Sequence, residues 1–381
     1  MKKLISIIVI LAIAIATTTT LLSSQEISFK EMWKEVKKLQ DEQKYNTALK
    51  KVIKIYDIAV KKENYKQWAK ALARSVALER GLHGYENAVH FIKKKKWPPS
   101  DKEKAMLHLF FANTLNDYYK HYSYEINKRE KVSSKKKIDL KKWTAFDIFE
   151  EINNQYMKSY SYKEALGKLY VKDFPQYIQR GNYPEKVCAT LRDFLVYKWT
   201  DFLGNTDTWK PKQLKEKYSL NFTKLAIDPS QRALVKDDFF MNPKTHPVIK
   251  MVYLLDGLYK WNMKNDLAQS ALQSQIVRIK KLSLVFNSKQ KRDILIQELA
   301  KFLKNFESYP WWSFGQYQYA TLLKKKDTLI KAHKAAMTGY KKYPQSFGGK
   351  KCLHLAKAIE APSFYVKIGR ASCRERVCHR V

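Results

Sequence analysis

Residues 44–88 read KYNTALKKVIKIYDIAVKKENYKQWAKALARSVALERGLHGYENA, and their spacing decides the fold. From Asn46 to Lys62, Leu49, Val52, Ile53, Tyr56, Ala59 and Val60 recur at the three- and four-residue intervals of one helix face. A second helix carries Trp68, Leu72 and Val76 and stops near Gly81; a third starts after Gly84. Lys44-Tyr45-Asn46-Thr47-Ala48 returns 40 residues later as Gly84-Tyr85-Glu86-Asn87-Ala88. Each copy sets an aromatic three residues ahead of an Ala. A repeat of this length is one helical hairpin, and the small Ala lets neighbouring helices approach closely. The expected fold is all-α, an α-solenoid of stacked helical hairpins.

The same pattern continues outward. Ser28-Phe29-Lys30-Glu31 and Ser100-Asp101-Lys102-Glu103 are capping-box sequences, a hydroxyl acceptor followed three residues on by an acid. The first predicts a helix to about Asp41. The second follows the break at Trp97-Pro98-Pro99 and opens a helix with Leu107, Phe111, Leu115, Tyr118 and Tyr122 in line. Lys131 to Lys137 reads as a solvated loop. Further helices are expected over Thr144–Lys163 and Pro184–Phe202. Residues 205–245, with Pro211, Pro229 and Pro243, are the least regular. After Ala361-Pro362, Ser363-Phe364-Tyr365-Val366 alternates as a strand opening would. The organisation expected is a leader (1–24), hairpin repeats (25–96), a helical region with loops (97–245), a second helical block (246–360), the start of a β domain (361–367) and a tail (368–381).

Hydrophobic residues make up 45% of the 381, which excludes a disordered chain, and only 11 Gly and 11 Pro fit long helices with short connections. The net charge is +37. A charge of that size attracts nucleic acid or an anionic membrane surface. It is nearly all Lys, spread over many helix faces, and the N-terminus carries an export signal. Lys2 and Lys3 precede an apolar run from Leu4 to Ala16, with Ala14-Ile15-Ala16 or Ser24 as cleavage sites; the competing reading is an uncleaved anchor running on to Leu22, which the four consecutive Thr disfavour. The protein is therefore expected in the periplasm, on the cell surface or outside the cell. Nucleic acid is excluded as a partner, and the basic charge leaves contact with a membrane surface open.

The last 14 residues differ in kind. They hold four of the chain's 12 Arg, and two of its four Cys, Cys373 and Cys378. Residues 368–377, IGRASCRERV, resemble a translated sequencing adapter, so 368–381 are expected to be foreign to the native protein. Cys188 and Cys352 remain, and sequence alone leaves one disulfide and two thiols equally open.

No pattern amounts to a catalytic, cofactor-binding or metal site, and the chain reads as a non-enzyme without a cofactor. Cys352-Leu353-His354 offers two metal-ligand types, but on a helix one is expected buried and the other exposed. Asp237-Asp238 and Glu150-Glu151 are adjacent, and neighbours on a helix point about 100° apart. The aromatic clusters Pro310-Trp311-Trp312 and Tyr118-Tyr119 fit either sugar-stacking rings of an α/α toroid or helix–helix core; core is the simpler account.

Several stretches resemble known families. Leu329 to Tyr343 followed by Pro344 is similar to the end of a tetratricopeptide unit. FKEMWKEVKKLQDEQKYNTALKKVIKIYDIA (29–59), MLHLFFANTLNDYYKHYSYEINKRE (106–130) and ALGKLYVKDFPQYIQRGNYPEKVCATLRDFLVYKWTDFL (165–203) resemble the N-terminal helical region of bacterial alpha-2-macroglobulin family proteins. IEAPSF (359–364) resembles their junction into a first β-sandwich domain. The resemblance implies a non-catalytic scaffold at the front of a secreted protease-trapping inhibitor. Its partners would be the downstream macroglobulin β domains and, through bait and thioester regions beyond residue 367, target proteases. No Cys-x-Glu-Gln thioester motif occurs in the chain. The rival expectations are a free-standing exported tetratricopeptide-like protein-binding module and a helical enzyme acting on glycans.

Overall fold

Left-handed turns set the length of the first helices. Residues 29–41 form α1, Tyr45–Lys61 α2, Tyr65–His83 α3 and Tyr85–Lys94 α4. Gln43 and Glu63, just before α2 and α3, take φ of 58° and 51°, and Gly84 before α4 takes φ 87° with ψ 174°, a region that only glycine enters readily. Asn64 caps α3 by accepting a hydrogen bond from the Gln67 N–H at 3.1 Å. Tyr45, Tyr65 and Tyr85 thus each begin a helix, and the 40-residue repeat of the sequence is two helix starts spaced 20 residues apart.

The computed structural model describes residues 29–132, 139–174, 178, 181–324 and 328–361. The leader, Ser28, most of 361–367 and the tail 368–381 lie outside them. Sixteen helices occur among the described residues; backbone pairing of extended chain is limited there to one bridge, Tyr170 with Thr190. The fold is all-α. None of the described helices is long and apolar enough to cross a membrane.

Contacts divide the chain into two compact units that part between Tyr309 and Pro310, inside the block 246–360. In the first unit each long helix from α2 onward packs against the next long one. The remaining long helices are α5 (Asp101–Ile126), α6 (Ala145–Tyr160), α8 (Leu191–Leu203), α11 (Pro247–Lys264), α12 (Ala268–Val285) and α13 (Lys289–Leu303); α7 (Lys163–Gly167), α9 (Pro211–Glu216) and α10 (Phe222–Ala226) are short. Trp199, fully buried on α8, stacks with Tyr156 of α6 at 6.2 Å, and its indole N–H donates to Asn153 at 2.9 Å.

Four expectations need correction. The buried face of α2 is Ala48, Leu49, Val52, Ile55, Tyr56 and Ala59, so Ile53 and Val60 lie at its margin: two flanking helices widen and rotate the face. The helix expected from Pro184 starts at Leu191. Residues 185–188 turn, with Cys188 at φ 51°, and Val171 N–H bonds Ala189 O while Leu191 N–H bonds Leu169 O, which keeps residues 189 and 190 out of the helix. The helix expected to reach Lys163 ends at Tyr160. At Ser100 the hydroxyl bonds the Glu103 carboxylate instead of the helix backbone. Complete capping boxes occur at Thr144/Asp147 and Thr190/Asp193, where Thr-x-x-Asp is the sequence sign.

The irregular stretch 205–245 is held by buried arginines. Arg232 Nε donates to Asp256 Oδ2 at 2.5 Å, and its Nη2 donates to Ile227 O at 3.0 Å. Arg278 Nη1 donates to the same carbonyl at 2.7 Å. Guanidinium groups here replace the ladder that a regular helix would supply.

The second unit consists of α14 (Trp312–Lys324), α15 (Leu329–Lys342) and α16 (Phe347–Glu360). Gly348 makes the close approach: a Cβ there would collide with backbone of Ser313 and Phe314. Trp311 stacks on Phe347 at 5.7 Å.

Candidate functional site

Most of the residues singled out in the sequence serve the core. Trp311, Trp312, Tyr118 and Tyr119 are all buried, so these rings fill helix grooves and present no sugar-stacking surface. Cys352 is buried on α16 with its thiol donating to Ser313 O at 3.2 Å, and burial pushes it up to about 12; His354 two residues on is exposed. Cys188 and Cys352 are not joined in a disulfide. Asp237 pairs with Lys163 at 2.5 Å, and Glu151 accepts from Gln155 at 2.7 Å. Among the described residues no three metal-ligating side chains cluster.

A groove of about 610 Å³ takes its walls from every second helix, α1, α3 and α5. α1 contributes Trp33, Val36 and Lys37, α3 contributes Lys70, Ala73, Arg74 and Ala77, and α5 contributes Phe110. This is the inner face that alternate helices of stacked hairpins create. Ala73 and Ala77 form a low floor between α1 and α5. The walls are held in place: Trp33 Nε1 donates to Gln67 at 2.7 Å, and the Lys70 ammonium sits 4.1 Å from the centre of the Trp33 ring. Arg74 donates to Gln40 of α1. Desolvation lowers the pKa of Lys70, with neighbouring Lys66 and Arg74 adding to it, and likewise lowers that of Arg74. Lys37, Lys70 and Arg74 face one acid, Asp41, in the groove, so it carries net positive charge over an apolar floor. The sign in the sequence is Ala69, Ala73 and Ala77 every fourth residue beside Lys70 and Arg74 at the same spacing, masked by the stronger apolar face of Trp68, Leu72 and Val76.

A second cleft, of about 190 Å³, holds a lysine that sequence reasoning missed. Lys250 of α11 is 7% exposed among Phe149, Phe202, Trp209 and Met241, with Glu150 and Lys210 on the same lining. Burial depresses its pKa to about 8. An amine of this kind is partly neutral near physiological pH and can act as a base or nucleophile. The sequence sign was a lone Lys inside the apolar run PVIKMVYLL, residues 247–255.

The geometry defines a class, stacked-hairpin all-α proteins with an inner groove. Compared with family models, curated proteins and solved structures, the chain matches none.

Proposed function

We propose that the chain is a non-catalytic helical scaffold that docks an acidic segment of another protein in the groove between α1, α3 and α5. The observation that carries this function is the groove itself: a preformed inner face, apolar at its floor, with three cations against one acid. A groove of this shape accepts an extended segment, and complementary charge speeds and orients the encounter. The resemblance to the helical region of bacterial macroglobulins gives the scaffold a context, the N-terminal module of an exported protease trap. Docking then serves the trap's other domains, and bait cleavage belongs to other parts of the polypeptide. On its own the chain inhibits no protease.

The context is tested at the source locus. Reading the genomic frame past codon 367 is expected to yield a run of β-sandwich domains. An early stop, or an unrelated enzyme domain, removes the macroglobulin context and leaves the docking groove to be judged alone.

A further inference from the structure

Between α12, α13 and the turn at residues 227–231 lies a cavity of about 350 Å³, separate from the groove. Gln275 of α12 lines it and is 1% exposed. Both Oε1 and Nε2 of its carboxamide are buried, and neither makes a hydrogen bond to any described residue. Most buried polar side chains have partners, so a wholly unpartnered amide calls for an occupant. Arg278, 2% exposed on the same lining, spends Nη1 and Nη2 on the carbonyls of Ile227 and Ala226, and its Nε–H is unpartnered too.

We propose that this cavity binds a small uncharged molecule bearing a primary carboxamide. The carboxamide of Gln275 offers one acceptor and a donor side by side. A second primary carboxamide, with its syn N–H beside its carbonyl oxygen, presents the complementary pair in the same plane and satisfies both at once, which a trans peptide group cannot. Arg278 Nε–H supplies a further donor toward a carbonyl. A single water fills roughly 30 Å³, a small share of the space. Ile279, Leu299 and Phe302 give the remaining wall an apolar character suited to the hydrocarbon part of a ligand. The charged groups at the cavity offset one another. Glu298 pairs with Lys301 at 3.1 Å, and Asp228 accepts the Ser230 N–H at 2.7 Å. That balance favours a neutral ligand over an acid or an amine.

The test is ligand-observed magnetic resonance titration of the full chain with N-acetylalaninamide. Saturable binding is expected, weakened at least tenfold by Gln275→Leu. The methyl ester of N-acetylalanine keeps the size and lacks the terminal N–H donors, and it is expected to bind at least tenfold more weakly. This arm needs no variant to fold. An uncharged octapeptide bearing one primary carboxamide separates the two sources of the amide. Binding of the small amide alone assigns a free molecule, and binding of both assigns a segment of a longer chain. Absence of saturation with either probe, or equal binding of amide and ester, overturns the proposal.

Discussion

Asn262 of α11 donates a hydrogen bond of 2.8 Å to Asp193 of α8, and both side chains are fully buried. The other carboxylate oxygen of Asp193 accepts from the Thr190 N–H at 2.9 Å and the Thr190 hydroxyl at 2.7 Å. One carboxylate thus closes the capping box of α8 and ties α8 to α11. Burial pushes the Asp193 carboxyl up, while the bonds from Asn262 and Thr190 pull against that. Asp193→Ala removes the cap and orphans Asn262 and Thr190. It should cost about 3 kcal/mol, the sum of a lost cap and buried groups left unpaired. Chemical denaturation of the variant against the parent checks this; a loss below about 1 kcal/mol contradicts it.

The Arg232–Asp256–Arg278 cluster makes a different demand. Asp256 is 3% exposed and faces Arg232 at 2.5 Å and Arg278 at 3.5 Å. Asp256→Ala leaves two buried guanidinium groups without their counter-charge, a change that typically costs about 3–5 kcal/mol. The effect should concentrate in the segment the arginines hold. Hydrogen exchange of amides in residues 222–233 is expected to rise well before that of α2 and α3. Uniform exchange across the unit would contradict the role given to the cluster.

Lys250 predicts a pH dependence of stability. Its folded pKa of about 8 lies below the ordinary value of 10.5. Between those values the unfolded chain binds more protons than the folded one, so stability from this group rises as pH climbs from about 8 to 10.5. Below pH 8 the folded state carries the desolvated charge at a cost of up to about 3 kcal/mol, at about 1.4 kcal/mol per pKa unit. Lys250→Met should therefore raise the melting temperature at pH 7 and reduce the gain seen on moving to pH 10. An unchanged pH profile in Lys250→Met contradicts the assignment.

The helices were legible where the sequence pattern is local. The apolar spacing at Leu49, Val52 and Tyr56 is enough to mark α2, since a helix that buries one stripe must repeat it. Which side residues complete that face was not legible. Ile55 replaced Ile53 because two neighbouring helices, set by the turns at Gln43 and Glu63, decide how far the buried stripe extends. The start of α8 was misplaced for a non-local reason: Ala189, Thr190 and Leu191 pair with Leu169, Tyr170 and Val171, a segment that no short window contains. The groove and the Lys250 cleft were less legible still. Each is assembled from helices far apart in sequence, and only the Ala spacing on α3 and the lone Lys in an apolar run hinted at them.

Carboxylate-to-amine zero-length crosslinking most directly tests docking of an acidic segment in the groove of α1, α3 and α5. The full chain is incubated with an extended acidic peptide carrying one aromatic residue, and the crosslinked lysines are mapped by mass spectrometry. The 61 Lys of the chain supply their own control, since unspecific attraction would spread crosslinks over many faces. The account predicts that crosslinks concentrate at Lys37 and Lys70 and disappear at those sites when Arg74→Glu reverses the third cation. Crosslinks scattered over the surface, or unaffected by Arg74→Glu, would contradict it.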